Sequence, residues 1–304
     1  MSEPSPATAQ AAPAAPTGVI HDIGYRHYEG PRLGRGAALA ALTVQSLRGV
    51  FGLGRTARAK IMPFLLGGIM MLPAAVSIAL LAVVKRVEVS VSYPAYAVIM
   101  QTVLAVFLAA QSPYLVAPDL RFRVLPLYMS RPVKTADYIT AKLAAMALAM
   151  FLLIAVPLTV MYAGELLVDL DGPPRSKEYF AALATSVIFA VLLASVGVAI
   201  ASFTPRRGLG VAAVIAVYLL TSAVSLVLVG VLMSVSRDSE AAWAWLVNPF
   251  FLVDAVQVWL FGTTPNNDGG YPSAGGPVAL AAILVVIALS VTALALRYRK
   301  AASS

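Results

Sequence analysis

Six stretches of this sequence are apolar for about as long as a helix needs to cross a bilayer, and nothing constrains the fold more. They run over 62–84, 96–116, 141–164, 179–203, 211–235 and 278–296. A helix needs about 20 mostly apolar residues to span the hydrocarbon core. None of the six carries an acid or base in its interior. With no water available, the backbone must satisfy its own hydrogen bonds, so each run is predicted to be a helix. Pro73, Pro113 and Pro157 fall inside these runs, and each removes a backbone donor and predicts a kink. Only 12% of the 304 residues are charged and 60% are apolar. A soluble domain carries about 25% charged residues, so this chain cannot cover a large aqueous surface.

The positions of Lys and Arg predict the orientation. With the N-terminus inside, the inner segments 1–61, 117–142, 204–210 and 297–304 hold seven, five, two and three basic residues. The outer segments 85–95, 165–178 and 236–277 hold two, two and one. Every inner segment but one therefore outweighs every outer one, and both ends are predicted to be cytoplasmic. Such clustering between apolar runs also argues against nucleic acid as the reason for the net charge of +8. The chain has no cysteine, which excludes disulfides and thiolate metal sites. Residues 1–20, rich in Ala, Pro and Ser, lack the pattern of a signal peptide and read as a disordered cytoplasmic tail.

Two further segments modify the six-span picture. Over 37–56, Leu39, Leu42, Leu47, Val50 and Leu53 cluster on one side at helical spacing, with Gln45, Arg48 and Arg55 opposite. This predicts an amphipathic helix lying in the membrane surface with its basic face toward the cytoplasm. Residues 241–262 are apolar but interrupted by Asn248-Pro249 and carry Asp254. A full crossing there would make seven spans and put Arg297, Arg299 and Lys300 outside. The segment therefore reads as two short helices dipping into the outer leaflet and returning, with Trp243, Trp245 and Trp259 at the interface. An ordinary amphipathic outer loop is the plainer alternative. Asp254 reads first as a helix-end charge exposed to outer solvent. Gln101 and Gln111 read first as interhelical hydrogen-bonding groups.

Missing chemistry narrows the function. Both histidines, His21 and His27, lie in the N-terminal tail, and no His-Glu-x-x-His pair exists, which excludes a zincin-type protease. No G-x-S-x-G elbow is present. Gly208-Leu209-Gly210 opens a membrane helix with no strand before it and is not a dinucleotide site. A proton- or sodium-driven transporter usually has an acid, a base or a broken helix near the membrane centre, and these runs hold no acid or base in their interiors. No Gly-Lys dipeptide occurs, so no P-loop is present. If the chain moves solute uphill, the ATPase is another polypeptide. A lipid-modifying membrane enzyme would have to draw on Asp119, Arg121, Asp169, Asp171 and Asp254, all of which read more simply as loop charges or caps.

The segment 117–142 is the most informative loop. Arg121, Arg123, Arg131, Lys134 and Lys142 are interleaved with Leu125, Leu127, Tyr128 and Met129. A solvated basic loop does not need those apolar side chains, whereas a short helix docking into a groove does. Arg131-Pro132 would end such a helix. Here the sequence resembles the membrane subunits of the type-2 family of ABC transporters. The resemblance is carried by Asp119, Leu125-Pro126-Leu127-Tyr128, Ser130-Arg131-Pro132, Asp137-Tyr138 and Lys142, with residues 20–35 similar to a leader of actinobacterial members. It implies an all-α membrane protein of six transmembrane helices, with an N-terminal interfacial helix and an outer re-entrant hairpin before the last span. Composition, charge and the apolar runs divide the chain into 1–20 (tail), 21–61 (cytoplasmic segment with the amphipathic helix), 62–296 (transmembrane domain) and 297–304 (cytoplasmic tail). The implied function is the permease of an ATP-driven exporter in the bacterial cytoplasmic membrane, without an ATPase site or cofactor of its own. The implied partners are two separate ATPase subunits, which bind the ATP, a second permease copy or close homologue, and membrane lipids. Asp119, Arg121, Arg123, Leu125, Leu127, Tyr128 and Arg131 would contact the ATPase, Arg48 and Arg55 would mark the interfacial helix, and Asn248, Pro249 and Asp254 the outer gate. A scaffold that only anchors an ATPase is the remaining alternative.

Overall fold

The computed structural model describes Gly30 and residues 34–85, 91–122, 133–168, 172–204 and 206–302. The chain divides into two units, Met1–Leu33 and Gly34–Ser304. The tail predicted over 1–20 lies outside the described residues, and every described helix belongs to the second unit. Among the described residues all regular structure is helical.

Six helices are long and apolar enough to cross a membrane. They are α2 (Ala57–Val84), α4 (Gln101–Arg121), α5 (Thr135–Leu167), α6 (Ser176–Phe203), α7 (Arg207–Ser234) and α10 (Gly275–Ala302). Between and before them lie α1 (Arg35–Val50), the single turn α3 (Tyr96–Ile99), α8 (Asp238–Ala244), a 3-10 turn (Trp245–Val247) and α9 (Pro249–Phe261). All six predicted spans thus appear. The second, expected over 96–116, is interrupted at Met100 and continues to Arg121. Helix α5 has 33 residues, a length of about 50 Å at 1.5 Å per residue. That is more than a crossing of a hydrocarbon core of about 30 Å requires.

The spans sort into two groups by burial. In their most apolar windows, α4 and α6 are each 61% buried and α5 is 50% buried, whereas α7 and α10 are each 17% buried. Helices α4, α5 and α6 therefore form the centre, around Phe107, Met146, Met150, Phe189 and Val198. The exposed apolar side chains of α7, including Leu219, Leu220, Leu226 and Val227, are suited to lipid or to another apolar surface. Without water to drive apolar association inside a bilayer, helices depend on close fit. Small residues supply it here: a Cβ on Gly164 would come within 2.4 Å of Ile78, one on Gly197 within 2.6 Å of Leu108, and one on Gly210 within 2.8 Å of Pro113.

Helix α1 ends sooner than its apolar pattern predicts. The expected helix reaches 56, but α1 stops at Val50 and residues 51–55 form a turn. Gly52 has φ +67°, and a Cβ there would lie 2.6 Å from the carbonyl oxygen of Ala59, so the turn demands glycine. Leu42 and Leu47 pack against the core, Val50 is buried, and Leu53 is exposed in the turn. The apolar side of α1 is turned toward α5 and α4 of its own bundle.

Candidate functional site

Two polar clusters cap opposite ends of the helices. The first gathers around the helix ends that flank the 117–142 loop. Its segment 123–132 lies outside the described residues, and with it Arg123, Leu125, Leu127, Tyr128 and Arg131. Both feet of that loop are described. On one side, Asp119 in the last turn of α4 accepts a hydrogen bond from the Tyr138 hydroxyl and pairs with Lys142 at 2.9 Å. The Lys142 ammonium also donates to the Leu115 carbonyl at 3.0 Å. Lys142, the second residue of the third apolar run, sits with its side chain only 10% exposed. A buried lysine is tolerable because the carboxylate and the carbonyl replace its water. The Tyr138 ring packs on Tyr298 near the end of α10, with centroids 5.3 Å apart.

On the other foot, the Asp137 carboxylate accepts from the Lys134 backbone N–H at 3.0 Å, satisfying an open donor at the start of α5. It also takes both guanidinium hydrogen bonds of Arg35, at 2.7 and 2.5 Å. The Asp137 hydrogen bonds raise the Arg35 pKa above its ordinary value. This fork-to-fork geometry joins the first residue of α1 to the first turn of α5. Asp119, Asp137, Tyr138 and Lys142, four of the residues carrying the family resemblance, thus meet around one loop. Arg121 and Phe122 are exposed at its first foot, with the Arg121 guanidinium 5.6 Å from the Phe122 ring centre. Arg48 and Arg55 are exposed, and Arg55 lies 4.2 Å over the ring of Tyr114 in α4.

The second cluster corrects one expectation. The helix pair 238–247 and 249–261 is bent by 113° at Asn248. Asn248 caps α9 by accepting from the Phe250 N–H at 2.9 Å, and Pro249 occupies the first helical turn, where its missing donor costs nothing. The Asn248 amide also donates to Gln101 at 3.2 Å and to Ser222 at 3.4 Å, tying the bend to α4 and α7. The interhelical reading of Gln101 therefore holds. Asp254 is not an exposed helix-end charge: it is fully buried. Its carboxylate accepts from the Asn266 N–H at 3.0 Å, the Asn266 side chain at 2.6 Å and the Tyr271 hydroxyl at 2.7 Å. The Gly- and Pro-rich loop after α9 folds back to supply those donors. Burial, then the Asp254 carboxylate, pushes the Tyr271 phenol far above its ordinary pKa, so it remains a donor. Trp243 and Trp259 are 40% and 48% exposed, whereas the Trp245 indole N–H is buried.

Sequence reasoning missed a third group near the same end. Glu165 falls in the predicted outer segment 165–178, yet it lies inside α5 with no exposed side-chain surface. It accepts from the Tyr93 hydroxyl at 2.5 Å, the Arg175 N–H at 2.6 Å and the Arg175 guanidinium at 3.2 Å. Tyr162 and Tyr179 stack beside it with centroids 4.2 Å apart. The only signal was a carboxylate before one loop and an arginine after it. Asp169 and Asp171 lie outside the described residues.

An apolar cavity of about 300 Å³ lies among α4, α6, α7, α9 and α10, lined by side chains such as Leu108, Val196, Tyr218, Phe250 and Val286. Among the described residues no three His, Cys, Asp or Glu side chains gather as metal ligands. Comparison with known protein families and with curated proteins finds no match.

Proposed function

We propose that this chain is the membrane-spanning permease subunit of an ATP-driven ABC exporter, coupled to a separate ATPase subunit through the 117–142 loop. The observation that carries the reading is the double clamp at the feet of that loop. Asp119, Tyr138 and Lys142 lock the end of α4 to α5, while Arg35 and Asp137 lock α1 to the start of α5. A loop that receives force needs rigid feet, because a push on a slack segment is lost in its own conformational freedom. Here a displacement at 123–132 would pass to the central helices α4 and α5 together.

In this reading both termini face the cytoplasm of a bacterial cell, and α1 lies at the inner surface beside the ATPase. The bent pair 238–261 is a re-entrant hairpin on the outer side, held at Asn248 and Asp254. Two permeases, identical or homologous, form the pathway, and the exposed apolar face of α7 is one surface a second copy would cover. Two ATPase subunits bind beneath them and hold the ATP.

Co-purification tests the proposal. Tagged protein extracted from native membranes is expected to bring down an ATP-binding subunit in near-equal amount. Recovery of the permease without any ATPase overturns it. Flux in sealed vesicles separates a transporter from a scaffold, since a scaffold retains ATPase binding without moving solute.

A further inference from the structure

The turn at 51–55 touches two cavities of opposite character. On one side lies a polar cavity of about 430 Å³ between α1, α4 and the start of α5, lined by Gln45, Arg48, Arg55, Tyr114, Asp119 and Lys142. On the other lies an apolar groove of about 360 Å³ between α2 and α5, lined by Phe51, Phe64, Gly67, Gly68, Leu152 and Val156. Leu53, Gly54 and Arg55 of the turn border the first, and Phe51 borders the second.

Charge in the polar cavity does not balance. Its lining holds Arg48, Arg55 and Lys142 against one carboxylate, Asp119, which is already engaged by Lys142 and Tyr138. Neither Arg48 nor Arg55 forms an ion pair with an acid among the described residues. A further cation lies close by: the Arg207 guanidinium is 5.4 Å from the same Tyr114 ring that Arg55 covers at 4.2 Å. Guanidinium groups gathered without a carboxylate suit a phosphate, whose oxygens accept the parallel hydrogen bonds of each fork.

The apolar groove says which phosphate. Its floor is opened by two glycines: a Cβ on Gly68 would meet nothing within 4 Å, and one on Gly67 would only touch Leu153 at 3.9 Å. Ile61, Met62 and Leu65, next along α2, are exposed apolar residues of the kind that face acyl chains. We infer that the two cavities form one binding site for an anionic phospholipid, with its headgroup phosphate on Arg48 and Arg55 and an acyl chain along Gly67 and Gly68. The site requires only that the chain be embedded in a bilayer, so it stands or falls apart from the exporter reading. Juxtamembrane bases draw anionic lipid in any case. What this geometry adds is a cavity of defined lining and a groove beside it. A lipid there would lie against Asp119 and Lys142, at the foot of the docking loop.

Full-length protein in neutral detergent allows the test, using short-chain phosphatidylglycerol, short-chain phosphatidylcholine and glycerol phosphate, with ligand-induced thermal stabilisation as readout. Phosphatidylglycerol is expected to stabilise saturably, phosphatidylcholine at least about tenfold more weakly, and glycerol phosphate not at all. The double substitution R48Q/R55Q is expected to weaken phosphatidylglycerol by about 30-fold. Gly68→Leu, which fills the groove and leaves the arginines alone, is expected to weaken it by about tenfold. Equal effects of the two lipids would overturn the headgroup assignment. Glycerol phosphate acting as strongly as phosphatidylglycerol would show a site for free phosphate and overturn the lipid. Because the comparison of the three ligands uses the unaltered protein, it decides the matter even if a variant fails to fold.

Discussion

Replacing Lys142 by Met keeps most of the length and packing of the side chain but removes its charge. Asp119 is then left with its side chain only 16% exposed and its counter-ion gone, and the Leu115 carbonyl loses a donor. Breaking a buried pair by deleting one partner costs about 3–5 kcal/mol. The Tyr138 hydroxyl still serves the carboxylate, which places the expected loss near the lower end, about 3 kcal/mol. Asp119→Asn retains an acceptor for Tyr138, and the freed ammonium can reach toward water along its flexible stem, so its expected cost is about 2 kcal/mol. Making both changes removes the pair as a unit, and the two costs should fall short of additivity by about 2 kcal/mol. Unfolding in mixed micelles, followed by tryptophan fluorescence, measures all four corners of this cycle. A coupling below about 0.5 kcal/mol would refute the claim that this pair anchors the loop.

Other outcomes rest on the same geometry. Tyr128→Asp and Arg131→Glu are each expected to leave folding intact and to separate ATP hydrolysis from transport in vesicles; unchanged transport in both would rule out contact at those residues. Gly276→Ala would put a Cβ 2.2 Å from the Cβ of Trp259, an atom too near the backbone to swing away, and is expected to destabilise by about 1–3 kcal/mol. Gly230→Ala, where a Cβ meets nothing within 4 Å, is expected to be neutral or slightly stabilising, so equal melting temperatures for the two variants would contradict the packing described. Tyr271→Phe removes one donor from buried Asp254 and is expected to cost about 1–3 kcal/mol at pH 7. Because the folded-state pKa of Tyr271 is raised, its contribution is complete below the unfolded value of about 10 and declines as pH rises above it. Wild-type stability should therefore fall more steeply than that of Tyr271→Phe above that pH, and parallel curves would contradict this.

The six long helices were legible because a bilayer imposes one simple requirement, an uninterrupted apolar run, and the chain meets it six times. Their ends were not. Asp119, Asp137, Lys142 and Glu165 read as loop charges in the linear sequence, yet all lie within helices where a partner on another turn or helix cancels their cost. The bend at Asn248-Pro249 was readable because a capping side chain followed by proline is a local signal. The burial of Asp254 was not, since its donors Asn266 and Tyr271 come from a loop whose return path has no periodic pattern. Likewise the apolar stripe of α1 was visible, but stripe geometry does not distinguish a lipid surface from the flank of α5.

The exporter proposal places residues 123–132 against a motor protein, and the absence of cysteine from the sequence allows a direct measurement. A single cysteine placed at Tyr128 can be crosslinked in native membranes with a short thiol-directed photoreagent. An adduct with an ATP-binding subunit is expected, lost when Arg131 is changed to Glu. Efficient labelling of that cysteine with no adduct to any nucleotide-binding protein would contradict it.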